Sequence, residues 1–181
     1  MSTTYRLLLS LALCCSLLPN LPVLAQKQTP PAPPKLSLTA ALVLTPEFCA
    51  TVKKGREGKF ALGKAACTKL EPVLKGVFTS LTRVDDSSKA GDAQVVLEPK
   101  FTDVGDTEKA LGFNREQVVL VEWTARDQSG KAVWIETVQG SAHGHNLKHI
   151  REDSVQDMAE QSAAKMSSSP ELLKLSTQPV K

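Results

Sequence analysis

Apolar residues in this chain recur with two different periods, and the switches between them mark out the elements. Leu36 to Thr45, LSLTAALVLT, alternates and is stopped by Pro46, which predicts a strand. Phe48 to Lys53 extends for a few more residues before a loop at Gly55 to Gly58. Leu62, Ala66, Leu70, Val73, Leu74, Val77, Phe78 and Leu81 then recur at steps of three and four, one apolar stripe on a helix. Pro72 interrupts that stripe, so the helix is kinked there or begins late, with Thr68 and Glu71 placed to form a capping box. From Phe78 to Val84 the chain reads as extended.

After a polar stretch from Asp85 to Asp92, Ala93 to Val104 reads as a further strand. Gln117 to Arg126 (QVVLVEWTAR) and Lys131 to Gln139 (KAVWIETVQ) form the strongest pair. Asp127-Gln128-Ser129-Gly130 between them is turn chemistry, with Gly130 suited to the left-handed position. Symmetric pairing about that turn would set Trp123 beside Trp134. Val155, Met158, Ala159, Ser162, Ala163 and Met166 mark a helix beginning near Asp153 or Ser154. Ser169-Pro170-Glu171 then opens a short second one, ELLKL. This order predicts an α+β, two-layer fold. A mostly antiparallel sheet of four to five strands is covered on one face by two helices. Val118, Leu120, Val133 and Ile135 make the other face partly apolar. They are read either as ordinary surface hydrophobes or as a docking surface for a partner or ligand.

The start of the chain follows neither period. Arg6 precedes the apolar run LLLSLALCCSLL, followed by Pro19, Pro22 and Val23-Leu24-Ala25. A basic start, a short apolar run and small or apolar residues at −3 and −1 describe a secretory signal peptide over residues 1–25. A buried helix fits badly, because the run has no polar face. Cys14 and Cys15 raise lipidation as a second possibility, although Leu13 stands at −1 of Cys14 where a small residue is expected, and Cys15, preceded by Cys14, fits no better. Residues 26–35, QKQTPPAPPK, hold four prolines and make an extended spacer. A single domain over 36–175 and a disordered tail over 176–181 complete the expected organisation.

Composition adds mainly exclusions. Of 181 residues, 41% are hydrophobic and 23% charged, which excludes wholesale disorder and a multi-span membrane protein. A net charge of +3, scattered lysines and few aromatics give no footprint for nucleic acid. The chain lacks G-x-S-x-G, H-E-x-x-H, P-loop and G-x-G-x-x-G sequences, so no catalytic residue is assigned and no cofactor is expected.

Two constellations remain. Cys49 and Cys67 are the only cysteines beyond the leader, and in an exported chain such a pair reads first as a disulfide. Two buried free thiols, or a reactive or metal-binding thiol, are the alternatives. His143, His145 and His149 are all the histidines of the chain and fall in one short segment. His-x-His on an extended strand would place two imidazoles on one face, a geometry for a transition metal. A solvated loop with no metal role is the plainer reading.

The element order, the Pro-rich spacer and the ending EDSVQDMAEQSAAKMSSSPELLKL resemble small bacterial envelope proteins built as a sheet with two helices. These are the lipopolysaccharide-assembly lipoprotein and the auxiliary lipoproteins of ABC transporters. The resemblance implies an exported, non-enzymatic accessory or scaffold protein, periplasmic, extracellular or associated with the outer membrane. Such a protein would have no transmembrane span in its mature form and would bind an envelope protein or lipid. A metal-binding protein or metal-dependent enzyme using the three histidines is the alternative.

Overall fold

The computed structural model describes residues 35–55, 58–103, 109–111 and 114–177. The expected leader, the cysteines considered for lipidation, the spacer up to residue 34 and the last four residues of the tail lie outside the described residues.

Strand β1 (Leu36–Val43) ends where Thr45 and Pro46 turn the chain into a short helix, α1 (Pro46–Ala50). The Thr45 hydroxyl accepts from the Phe48 N–H (3.1 Å) and Pro46 fills a first-turn position that needs no donor. The extended reading of Phe48 to Lys53 is thereby corrected: the proline that stops the strand starts a helix. A small hairpin follows, β2 (Lys53–Gly55) with β3 (Gly58–Phe60), then α2 (Leu62–Leu74) and β4 (Phe78–Val84). Pro72 lies in the last turn of α2. No cap forms at Thr68, which sits inside the helix and donates to the Lys64 carbonyl (2.9 Å). A 3₁₀ turn (Ser87–Lys89) leads to β5 (Val95–Asp103), β6 (Lys109–Leu111), β7 (Asn114–Asp127) and β8 (Ala132–Gly144). The chain closes with α3 (Leu147–Ser168) and α4 (Pro170–Ser176), so Ser176 belongs to a helix rather than to the tail.

In the main sheet the strands run β4, β1, β5, β7, β8, with β6 following β5 along the same edge of β7. The sheet is mixed, which corrects the expectation of mostly antiparallel pairing. β1 pairs parallel with β4 and with β5, while β7 is antiparallel to β5, β6 and β8. Parallel neighbours require crossovers, and side-chain alternation is the same in either pairing, so the pattern alone does not distinguish them. The first crossover runs through α1, the hairpin and α2. The second, residues 85–94, passes over β1 on the opposite face, where Ala41 and Val43 are buried. Coverage on both faces explains the unbroken buried run from Ala40 to Leu44.

Among the described residues four helices, rather than the two expected, supply one hydrophobic cluster on one face of the sheet: Phe48 from α1, Leu70 from α2, Met158 from α3 and Leu172 from α4, against Leu42, Leu97, Val121 and Trp123. Phe48 stacks on Phe101 with ring centroids 4.5 Å apart. The tryptophan pairing expected from the hairpin is displaced. Trp123 faces Glu136, and Trp134 faces Ala125. The turn pairs Asp127 with Lys131, and a bulge passes over Val133. These two shifts together are even, so both indoles stay on the core side as diagonal neighbours and both are buried.

Helix α3 begins at Leu147, capped by Asn146, whose side chain accepts from the Lys148 N–H (3.1 Å). That is earlier than the apolar pattern indicates, because its buried stripe includes the polar Arg151 and Ser154. The helix backbone lies directly on β8. A Cβ added to Gly140 would come within 2.3 Å of both the Ser154 carbonyl oxygen and the Met158 nitrogen. The Trp123 indole N–H donates to the Ser162 hydroxyl (2.9 Å), and that hydroxyl donates to the Met158 carbonyl (2.7 Å). Since the groups facing Gly140 are backbone and cannot rotate away, Gly140→Ala is expected to destabilise the fold by about 1–3 kcal/mol. A urea titration that leaves the midpoint unchanged would contradict this packing.

Candidate functional site

The two cysteines form a disulfide, S–S 2.03 Å, linking the end of α1 to the middle of α2. The two helices also meet through backbone at Gly63, where an added Cβ would lie 2.0 Å from the Phe48 carbonyl oxygen. The Gly63 N–H donates to the Thr51 carbonyl (2.9 Å). Gly63 and Cys67 are one turn apart, so a close contact and a covalent link fall on the same stripe of α2.

The three histidines, expected on a loop, lie on three elements. β8 continues through His143, His145 occupies the bend after it, and His149 stands in the first turn of α3. All three are exposed, and His143 faces Glu116 across the strand pair with Nε2 3.9 Å from a carboxylate oxygen. Among the described residues no three His, Cys, Asp or Glu side chains form a group able to hold a metal ion.

Three of the four apolar residues considered for a docking face do share the sheet face opposite the helices. Val118 and Leu120 project from β7 beside Ser141 and Gln139 of β8, and Ile135 projects from β8 beside Thr124. Ile135 is 61% exposed, the largest value among the large hydrophobics there. Val133, passed over by the bulge, packs against the core cluster instead. The same open face carries Glu98, Lys100, Glu122 and Arg126, so charged and apolar side chains alternate across it.

At one end of this face lies a groove of about 680 Å³, between the 85–94 crossover and the β7–β8 turn. Val96, Glu98 and Arg126 line it together with Ser87, Ser88 and Asp92. Arg126 ties β5 to the turn: Nε donates to Glu98 (3.0 Å) and Nη1 to the Gly130 carbonyl (3.3 Å). The turn is held by Asp127, whose Oδ1 accepts from the Ser129 hydroxyl (2.6 Å), the Ser129 N–H (2.9 Å) and the Lys131 N–H (3.1 Å), with Gly130 at φ 80°.

A polar cluster that pattern reading did not single out sits near the other end of β7. Lys53, only 2% exposed, donates through Nζ to the Val118 carbonyl (3.0 Å), and the Gln117 side chain donates to the same oxygen (2.9 Å). Arg151 lies over the Phe60 ring, 5.8 Å from its centroid. These contacts pin the β2–β3 hairpin to the sheet and to the start of α3. A lysine in a three-residue polar strand has no periodicity to announce its burial.

Compared with solved structures, the chain is similar to protein XCC0632 from Xanthomonas campestris, of the family DUF330. Identity is 8%, with 76% of this chain and 85% of that one covered at a TM-score of 0.54. It also aligns with a minor lipoprotein from Acinetobacter baumannii, 14% identical over 74% of this chain and 93% of the other, at a TM-score of 0.47. The likeness is one of fold. No family model matches the sequence, and no curated protein matches it. Among the described residues no helix is long and apolar enough to cross a membrane.

The Ser129 hydroxyl above all, with the Lys131 and Ser129 N–H groups, holds the Asp127 carboxyl below the ordinary carboxylate range. Its contribution to the turn is therefore present above the ordinary aspartate pKa and is lost as pH falls through the lowered one. An NMR titration should place the Asp127 midpoint below that of an unperturbed aspartate, and Ser129→Ala should move it upward.

Proposed function

We propose that the chain is an exported accessory protein of the bacterial cell envelope that works by binding a partner protein, without catalysis of its own. The observation that carries this reading is the one-sided architecture. Helices α1 to α4 pack on one face of the sheet, while the other presents Val118, Leu120 and Ile135 among charged and hydroxyl side chains. A face of that mixed character suits a protein surface, whose contact areas are about as apolar as ordinary protein exterior. Acyl chains would call for a more continuous apolar patch. Export is supported by the leader pattern, and an envelope role by the layout resemblance to assembly and transporter-auxiliary lipoproteins. The absence of nucleophile and phosphate-binding motifs supports a binding role.

The test uses the full exported chain as bait in an envelope fraction. Ile135→Arg and Leu120→Arg should each reduce capture of the specific partner by about tenfold or more, the effect of losing a central contact worth over ~1.4 kcal/mol. The urea midpoint of Ile135→Arg should barely move, because Ile135 is exposed. Glu160→Lys, on the exposed side of α3, should leave capture unchanged. Equal capture by all variants, or recovery of a bound lipid and no protein by native mass spectrometry, would overturn the proposal.

A further inference from the structure

The cysteine pair has an environment that a purely structural disulfide does not need. A surface pocket of about 500 Å³ is lined by Cys49, Lys64, Cys67, Thr68, Glu71 and Arg83. Both halves of the disulfide reach its wall, but unequally: Cys49 is part-exposed, whereas Cys67 is only 6% exposed. Arg83 projects from β4 with Nη2 3.7 Å from the Cys49 sulfur. Lys64 adds a second cation. Glu71, the one carboxylate lining the pocket among the described residues, is engaged by Lys75 (2.7 Å) and stands 3.9 Å from Arg83. The balance is positive, and inert structural cysteines are ordinarily buried away from such charge.

We propose that Cys49–Cys67 is a thiol–disulfide exchange site that accepts electrons from a dithiol, with Cys49 as the sulfur attacked. An incoming thiolate is drawn by Arg83 and Lys64 and reaches the more exposed sulfur. It attacks Cys49 Sγ, the Sγ–Sγ bond breaks, and the electron pair leaves on Cys67, which takes a proton from water. The second thiolate of the same dithiol then attacks its own sulfur in the mixed disulfide. The dithiol leaves as a disulfide, and Cys49 is released as a thiolate beside the Arg83 guanidinium. Two electrons have passed to the chain, and the covalent link between α1 and α2 is open, while the Gly63 contact between the same helices remains.

The experiment treats the oxidised full chain with reduced glutathione, alkylates free thiols rapidly, and maps both modifications by mass spectrometry. Glutathione is expected on Cys49 and the alkyl group on Cys67. Arg83→Gln should slow adduct formation about threefold or more, and Arg83→Lys should retain most of the rate. Raising the salt concentration should slow the wild-type reaction, since these charges face solvent, and affect Arg83→Gln less. A glutathione adduct on Cys67 would overturn the proposal. So would a rate that follows global unfolding in urea, or one indifferent to both Arg83 and salt; the salt test on the unsubstituted chain stands even if the variants fold poorly.

Discussion

The seating of α3 on the β7–β8 hairpin is the contact on which the rest of the architecture depends. At Gly140 the helix backbone rests on the strand backbone, an approach that any side chain at that position would prevent. Around it the polar groups are matched one by one. Ser162 takes the buried indole N–H of Trp123, and Asp157 accepts from the Ser141 N–H (2.8 Å). A buried donor left without an acceptor costs about 1–3 kcal/mol, so these bonds tie the position of the helix to the register of the hairpin. With α3 so placed, α2 packs alongside and the core closes on one face. The other face is left to the short crossover and to solvent.

That asymmetry joins the fold to the proposed role. A sheet sealed on one side by helices is rigid, and the side chains it displays on the other side are held at fixed spacing. Val118, Leu120 and Ile135 are displayed in that way, with the Arg126–Glu98 pair and the groove at one end. The disulfide belongs to the opposite side of the molecule's economy, fastening α1 to α2 and so keeping Phe48 stacked on Phe101. Exchange at Cys49 would loosen the helical layer without directly touching the open face.

How much of this was legible from residue order depends on which interactions announce themselves as periodicity. Strands β5, β7 and β8, the turn at Gly130, helix α2 and the α+β class follow from alternation, three-to-four spacing and turn chemistry. The Cys49–Cys67 pairing follows from the export pattern. Other features did not show. Parallel pairing of β1 leaves no mark on alternation, because side chains alternate identically in both kinds of ladder. The first turns of α3 are hidden because Arg151 and Ser154 are buried members of its stripe. Val133 seemed to belong with Ile135, and only the bulge, which depends on how the turn closes, moves it to the core side. Of the docking residues, Val118, Leu120 and Ile135 are brought onto one face, whereas the three histidines are divided among a strand, a bend and a helix. Lys53 and Arg83 matter through partners distant in sequence, which no local pattern contains.

Native-state hydrogen exchange tests the seating of α3 most directly. If the helix and hairpin are one cooperative unit, amides of α3 between Ser154 and Met166 and those of β7 between Val119 and Ala125 exchange with the same slow free energy of opening. Their protection should fall together as denaturant is added. Exchange in α3 that is faster than in β7 by orders of magnitude would show a helix that docks loosely, and would contradict the account.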